Sequence, residues 1–285
     1  MNLQTLEADR VEEILERHGA LAVTYSDAAD DPVLEPLPGE TPLWQDSCVT
    51  GLFDTEADLD ALQRDLMASL DLETLPPHRI ESLEDRVWER EWLKDFRPMQ
   101  FGRRLWVLPV DATDVPEDAV VLRLDPGLAF GTGTHATTAL CLERLDAVSL
   151  SGTEVLDYGC GSGILAIGAL LLGAERATGY DIDPQAITAT MSNAKQNKVD
   201  DRLTATLEPE TLDNDYDVVV ANILAKPLIE AAAEIADSVR RGGTLVLSGI
   251  LAGQAATVAT AYSEQIDFAA PTERDGWACL CGVRQ

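Results

Sequence analysis

Cationic side chains are scarce in this chain of 285 residues: Lys and Arg number 21 against 50 Asp and Glu, a formal net charge of −29. Nucleic-acid backbones are held mainly by Lys and Arg, so the deficit argues against nucleic acid as a direct partner and suits a basic one. The deficit is extreme from Gly19 to Gln63, which holds no Lys or Arg but ten acids, Asp27, Asp31, Glu40 and Asp58 among them. A plainer reading of the same charge is solubility or adaptation to salt. Cysteine is also sparse. The five (Cys48, Cys141, Cys160, Cys279, Cys281) are odd in number and form no Cys-x-x-Cys pair, which excludes a disulfide framework and fits reduced thiols in the cytoplasm. Cys279 and Cys281 stand two apart, on one face of a strand, and read as packing. Three scattered histidines (His18, His78, His135) do not suggest a zinc site. The longest apolar run, Ile164 to Leu172, falls well short of the ~20 residues of a membrane span. Met1 to Gln4 has neither the basic nor the apolar region of a secretion signal, so neither export nor a membrane is expected.

Apolar residues are plentiful, at 46%, enough for a sizeable core in about one or two domains. The first 80 residues or so read as a small α+β unit. Val11, Ile14 and Leu15 have helical spacing and Gly19 stops them. Ala20–Tyr25 and Cys48–Phe53 read as strands around a proline-rich loop, Pro32 to Pro42. Asp54 is expected to cap a helix reaching Leu70, and Ile80 to Leu83 to form a third strand. Asp85 to Phe96, with Trp88 and Trp92, reads as a bridging helix whose aromatics are packing anchors. Strands follow at 105–110 and 120–124.

From Gly152 onward strand and helix alternate. Strands are expected at 154–157, 177–181, 203–206, 217–221, 244–248, 266–268 and 278–283, and helices at 164–172, 184–197, 224–239 and 253–262. Such alternation implies a doubly wound, mostly parallel sheet. The last two strands lack a helix between them and should close one edge as an antiparallel hairpin.

Three segments carry chemistry. In Val155-Leu156-Asp157-Tyr158-Gly159-Cys160-Gly161-Ser162-Gly163-Ile164 an apolar strand enters a glycine turn and then a helix, whose free N–H groups face a ligand. About twenty residues later a second strand ends in Asp181, placed to accept hydrogen bonds from ribose hydroxyls. The third glycine comes one residue too early for the dinucleotide fingerprint. Asp157 would also repel a pyrophosphate, which argues against a nicotinamide-dependent oxidoreductase. It suits a ligand bearing an ammonium and a sulfonium, as S-adenosylmethionine does. Upstream, Asp125 to Thr138 holds three glycines and several hydroxyls but no Lys, so it is no phosphate loop and reads as a lid, with Thr138 touching the cofactor. His135 there is a structural hydrogen-bonding residue or a base. Finally Asn222, in Ala221-Asn222-Ile223-Leu224-Ala225, lies just past the fourth strand, at the edge where open α/β sheets bind ligands. It is either a helix N-cap or an amide that orients an amine.

Together these motifs resemble the ribosomal protein L-eleven methyltransferase family (PrmA). The runs Leu124 to His135, Asp157 to Gly163 and Asn222 to Ala225 carry the likeness, with Glu35 to Thr41 and Trp88 to Trp92 upstream. The resemblance implies a class I S-adenosylmethionine-dependent methyltransferase sheet, Rossmann-like, preceded by a small ferredoxin-like α+β domain. It implies a substrate-docking domain at 1–84, a linker at 85–110 and a catalytic domain at 111–285. It also implies a monomer that methylates amino groups of a basic ribosomal protein, lysine side chains and the N-terminal amine, up to trimethylation. Family cofactor contacts fall on Thr138, Gly159, Asp181 and Asn222; the motif geometry adds Asp157 and Gly161, and Asn222 is the expected catalytic residue. The family's small domain opens with a strand for which Met1 to Leu6 leaves little room, so that strand is expected to be absent or the start placed late. A catalytically silent binding module, or a methyltransferase for another amine, are the other readings of the same motifs.

Overall fold

The computed structural model describes residues 1–3, 6–27, 47–82, 98–109, 112, 116–124 and 135–285. The proline-rich loop, the Trp88/Trp92 stretch and the glycine-rich segment 125–134 lie outside them. The chain forms two compact units, Met1–Arg86 and Val87–Gln285.

In the first unit α1 (Ala8–Arg17) turns Val11, Ile14 and Leu15 inward. β1 (Ala22–Asp27) runs antiparallel to β2 (Ser47–Leu52). α2 (Leu59–Ser69) adds Leu62 and Leu66 to a core that also holds Leu3 and Val49. The cap of α2 is Asp58, which accepts from Ala61 N–H at 2.9 Å, and not Asp54. Asp54 closes its own turn instead: its side chain accepts from Glu56 N–H at 3.2 Å and its carbonyl from Ala57 N–H at 3.1 Å. The expected strand at 80–83 does not form over 80–82, where Ile80 is exposed; Pro76 and Pro77 just ahead supply no N–H to start a ladder. The opening residues, expected to leave little room for a strand, form an isolated bridge to β2 and no strand among the described residues. Leu3 N–H donates to Ser47 O and Val49 N–H to Met1 O, both at 2.8 Å, while Asn2 N–H reaches Pro77 O at 3.2 Å.

The second unit is built on a parallel sheet. Its strands are β6 (Glu154–Tyr158), β7 (Arg176–Tyr180), β8 (Leu203–Thr206), β9 (Tyr216–Asn222) and β10 (Val239–Leu251), in spatial order β8-β7-β6-β9-β10. The chain then turns back: β13 (Trp277–Arg284) inserts antiparallel between β10 and β11 (Ile266–Phe268). The expected terminal hairpin is therefore present. A short β12 (Thr272–Arg274), which its polar sequence does not announce, also pairs with β13.

Side-chain alternation sorts the two sheet faces. Val155, Ala177, Leu203, Val218 and Val246 face α3 (Ala136–Ala147), α4 (Ile164–Leu172) and α5 (Pro184–Gln196). Leu156, Tyr158, Val219, Leu245 and Leu247 face α6 (Ala225–Glu230), α7 (Ala232–Ser238) and α8 (Ala255–Ala261). α4 is apolar on every side, hence wholly interior. Where one helix was expected at 224–239, α6 and α7 meet at Ala231, with φ −94° and ψ 12°.

A three-stranded sheet, β3 (Met99–Phe101), β4 (Leu105–Pro109) and β5 (Val120–Leu124), joins the α3/α4 core through Phe101, Leu105, Val107, Leu122 and Leu124. Residues 99–109, read as linker from sequence, thus pack inside the second unit. Buried Asp146 of α3 fixes the β3–β4 turn by accepting from Arg103 N–H at 2.5 Å. The crossover from β8 to β9 is a single 3-10 turn, Pro209–Thr211, and the sheet face there opens into a groove of 640 Å³ lined by Thr178, Thr204, Thr206 and Tyr216 among others.

Candidate active site

The carboxyl ends of β6, β7 and β9 set the site, because every apolar strand here stops where polar or glycine residues begin. β6 runs into Gly159, Gly161 and Gly163, whose φ values of 83°, 54° and 77° suit glycine and let the chain turn sharply into α4. Gly159 and Cys160 N–H both donate to Tyr180 O, at 2.7 and 2.9 Å, which ties the turn to the end of β7. From below, α5 braces it: Thr190 donates to Gly161 O at 3.1 Å and Asn193 to Ser162 O at 2.9 Å. Neither residue was singled out from sequence. The signal available was two polar groups on the helix face that also buries Ala186 and Ala194.

Two carboxylates hold this turn. Asp181, directly after β7, accepts from Gly161 N–H at 2.9 Å and from Asp183 N–H at 3.0 Å. Asp157 lies fully buried beneath, and its Oδ2 accepts from Ala166 N–H at 3.0 Å. Gly163, the N-cap of α4, has no side chain to satisfy the first-turn donors, so the preceding strand supplies the cap. Asp157 Oδ1 has no hydrogen-bond partner among the described residues. Burial, assisted by the like charge of Asp181, pushes the Asp157 carboxyl up to about 7 despite the Ala166 bond. An orphaned acceptor under a glycine turn, with a second acid beside it, is a site short of positive charge. That donor set fits a cofactor carrying an ammonium and a sulfonium, and not a pyrophosphate.

Asn222 ends β9, half-buried, and its Nδ2 donates to Thr138 Oγ1 at 3.2 Å. Thr138 is buried in the first turn of α3. Two site residues predicted independently, 84 apart in sequence, thus touch. The bond uses the donor end of the amide, so the carbonyl end keeps its acceptor capacity. Asn222 is not the cap of α6; Leu224 holds that position, and no side chain caps it. The loop is pressed inward at Gly249 (φ 83°), where any Cβ would lie 2.4 Å from Ile223 O. Ile223 in turn covers Gly159, so the Asn222 loop and the glycine turn are in direct contact.

His135 is the N-cap of α3. Its Nδ1 stands 2.8 Å from Thr137 Oγ1 and accepts from Thr137 N–H at 3.4 Å, while its ring packs edge-on against Trp277 at 4.7 Å. These contacts fit the structural reading of His135. Three exposed apolar residues missed from sequence stand at the same sheet edge: Ile182 after β7, Leu207 after β8 and Leu224 after β9. No group of metal-ligating side chains occurs among the described residues, and none of their helices is long and apolar enough to cross a membrane.

Comparison with known proteins gives a family. The model of the ribosomal protein L11 methyltransferase (PrmA) family matches residues 1–285. A ribosomal protein L11 methyltransferase of Actinobacillus pleuropneumoniae serotype 3 (strain JL03) is 50% identical over 287 residues, covering 100% of this chain and 98% of the relative. One from Edwardsiella ictaluri (strain 93-146) is 52% identical over 281 residues, covering 98% and 96%. Among solved structures, a ribosomal protein L11 methylase from Lactobacillus delbrueckii subsp. bulgaricus aligns with TM-score 0.62 at 30% identity, covering 67% of this chain and all of that one. With the motifs resident on one sheet edge and the likeness running the full length, the chain belongs to the ribosomal protein L11 methyltransferase family.

Proposed function

We propose that this protein transfers methyl groups from S-adenosylmethionine to amino groups of ribosomal protein L11, at lysine side chains and the N-terminal amine and up to trimethylation. The carrying observation is the pairing of Asn222 with Thr138 at the sheet edge that also presents the glycine turn and Asp181. Bound S-adenosylmethionine supplies a methyl group already activated by its sulfonium. What remains for the chain is alignment. Gly159 and Gly161 would bring backbone close to the cofactor, Asp181 would take its ribose hydroxyls, and Asp157 would face its cationic portion. Thr138 holds the Asn222 amide, whose carbonyl would accept from the substrate amine and orient its lone pair.

A lysine must be neutral to react. At pH 7 that costs about 4–5 kcal/mol from a pKa of ~10.4. Desolvation and the adjacent sulfonium lower it, and the proton passes to water. A neutral amide suits repeated methylation, because it does not trap the charged product as a carboxylate would.

In the first unit, hydrogen bonds set Pro77, residues 1–3, β2 and β1 side by side, which supports reading it as a ferredoxin-like substrate-docking domain. Its uninterrupted acidic stretch suits a basic ribosomal protein, met as a monomer in the cytoplasm. The test is transfer of a radioactive methyl group to undermethylated ribosomal proteins resolved on a gel. One labelled band at L11 supports the reading. Labelling of a different protein, or of none while cofactor binding persists, overturns the substrate but keeps the cofactor.

A further inference from the structure

Asp157 has more invested in it than a helix cap needs. It is fully buried and, among the described residues, bonds a single backbone N–H through Oδ2 and leaves Oδ1 without a partner. The titratable groups that face it come from three elements. Asp181 follows β7 and is anchored to the same turn through Gly161. Cys141 faces it from α3 and Cys160 from the turn; the hydrogen bond with Cys279 and then burial push the Cys141 thiol up, and burial pushes up that of Cys160, so they stay neutral in the working range. The one charge facing Asp157 from these groups is therefore of its own sign. An ionised carboxylate in such a place lacks a counter-charge, and a cation seated on the turn would provide one.

Resting on the S-adenosylmethionine reading, we infer that Asp157 senses the charge of the cofactor and favours the methyl donor over its spent product. The two ligands share ribose, ammonium and carboxylate. They differ in the sulfonium, which becomes a neutral thioether once the methyl has left. Ionised Asp157 gains from the sulfonium and gains nothing comparable from the thioether; protonated Asp157 is nearly indifferent. Its carboxyl stands near 7 without ligand, so the discrimination turns on across neutral pH. After transfer, Asp157 takes its proton back from solvent and the hold on the product loosens.

The test is calorimetric affinity for S-adenosylmethionine and S-adenosylhomocysteine at pH 5.5 and pH 8.0. Taking the ratio removes titrations that affect both ligands alike. The expected preference for the donor is about tenfold greater at pH 8.0 than at pH 5.5. Asp157→Asn, which keeps the acceptor for Ala166, is expected to give a flat ratio. A flat ratio in the unaltered protein overturns the inference, as does the same rise in Asp157→Asn. Should the variant fail to fold, proton release on binding, read in the unaltered protein from buffers of different ionisation enthalpy, decides. More release with S-adenosylmethionine than with S-adenosylhomocysteine supports the inference, and equal release overturns it. No binding of S-adenosylmethionine at all would instead overturn the cofactor reading itself.

Discussion

The two units are built on different scales. The first closes one small core of Leu3, Val11, Ile14, Leu15, Val49, Leu62 and Leu66 beneath a two-stranded sheet, whose β1 alternates exposed and half-buried residues. The second interleaves seven strands between two cores, and β9 buries Val218 to Ala221 without interruption. A strand covered on both faces cannot shift without dragging two layers with it, whereas a strand covered on one face can. Alignment of a nucleophile requires the first kind of support. A docking surface tolerates the second.

This contrast can be sharpened by substitution. The largest effect is expected for Asn222→Ala: turnover should fall by about a hundredfold or more, while S-adenosylmethionine affinity changes little, since the amide acts on the amine. Steady-state kinetics beside calorimetry decides, and near-unaltered turnover would remove Asn222 from its role. Next come two matched glycine changes. In Gly249→Ala the new Cβ meets the backbone of Ile223 at a positive φ, and both stability and turnover should drop, the former by about 2–4 kcal/mol. In Gly51→Ala of the first unit the Cβ presses on the Phe53 ring at 2.7 Å, which can rotate away, so a loss of under about 1 kcal/mol is expected. Equal losses in denaturant titrations would break the comparison.

A third test uses pH. Folded Asp157 holds its proton up to about pH 7, while the unfolded carboxyl releases it near 3.8. The stability this raised value confers at low pH is therefore lost as pH rises from about 4 to about 7. Asp157→Asn should escape that loss and, without cofactor, be more stable than the unaltered protein by about 2 kcal/mol or more at pH 8, with the gap closing toward pH 4. A gap independent of pH in thermal melts would refute it. The smallest effect concerns the acidic first unit. Raising salt from low to high should weaken association with the ribosomal protein by about three- to tenfold and leave cofactor affinity nearly constant. A flat response would reduce the acid to a matter of solubility.

Much of the second unit is legible residue by residue. α4, β5, β8 and β11 have the boundaries that the spacing predicts; the apolar runs of α4 and β5 stop abruptly at Gly173 and Asp125. What escaped was set by tertiary context. β12 is Thr272-Glu273-Arg274, with no apolar side chain to give a period, and exists only because β13 lies beside it. Asp54 and Asp58 are equally good caps in sequence, and the turn closed by Asp54 decides between them. The site divides in the same way. Asp157, the glycines and Asp181 belong to one local motif and can be read together. That Thr138 meets Asn222 required the topology, since neither residue carries any trace of the other.

The missing helix between β8 and β9 bears on how the second unit comes apart. With only Pro209–Thr211 in that crossover, Thr178, Thr204 and Thr206 line open solvent, and β8, four residues long, is also the outermost strand. Its amides should be the earliest of the parallel sheet to exchange with deuterium, followed by those of β7, while β6 and β9 hold out longest. The molecule would then unzip from one side, and Asp181, proposed above to take the ribose hydroxyls, directly follows the strand next in line.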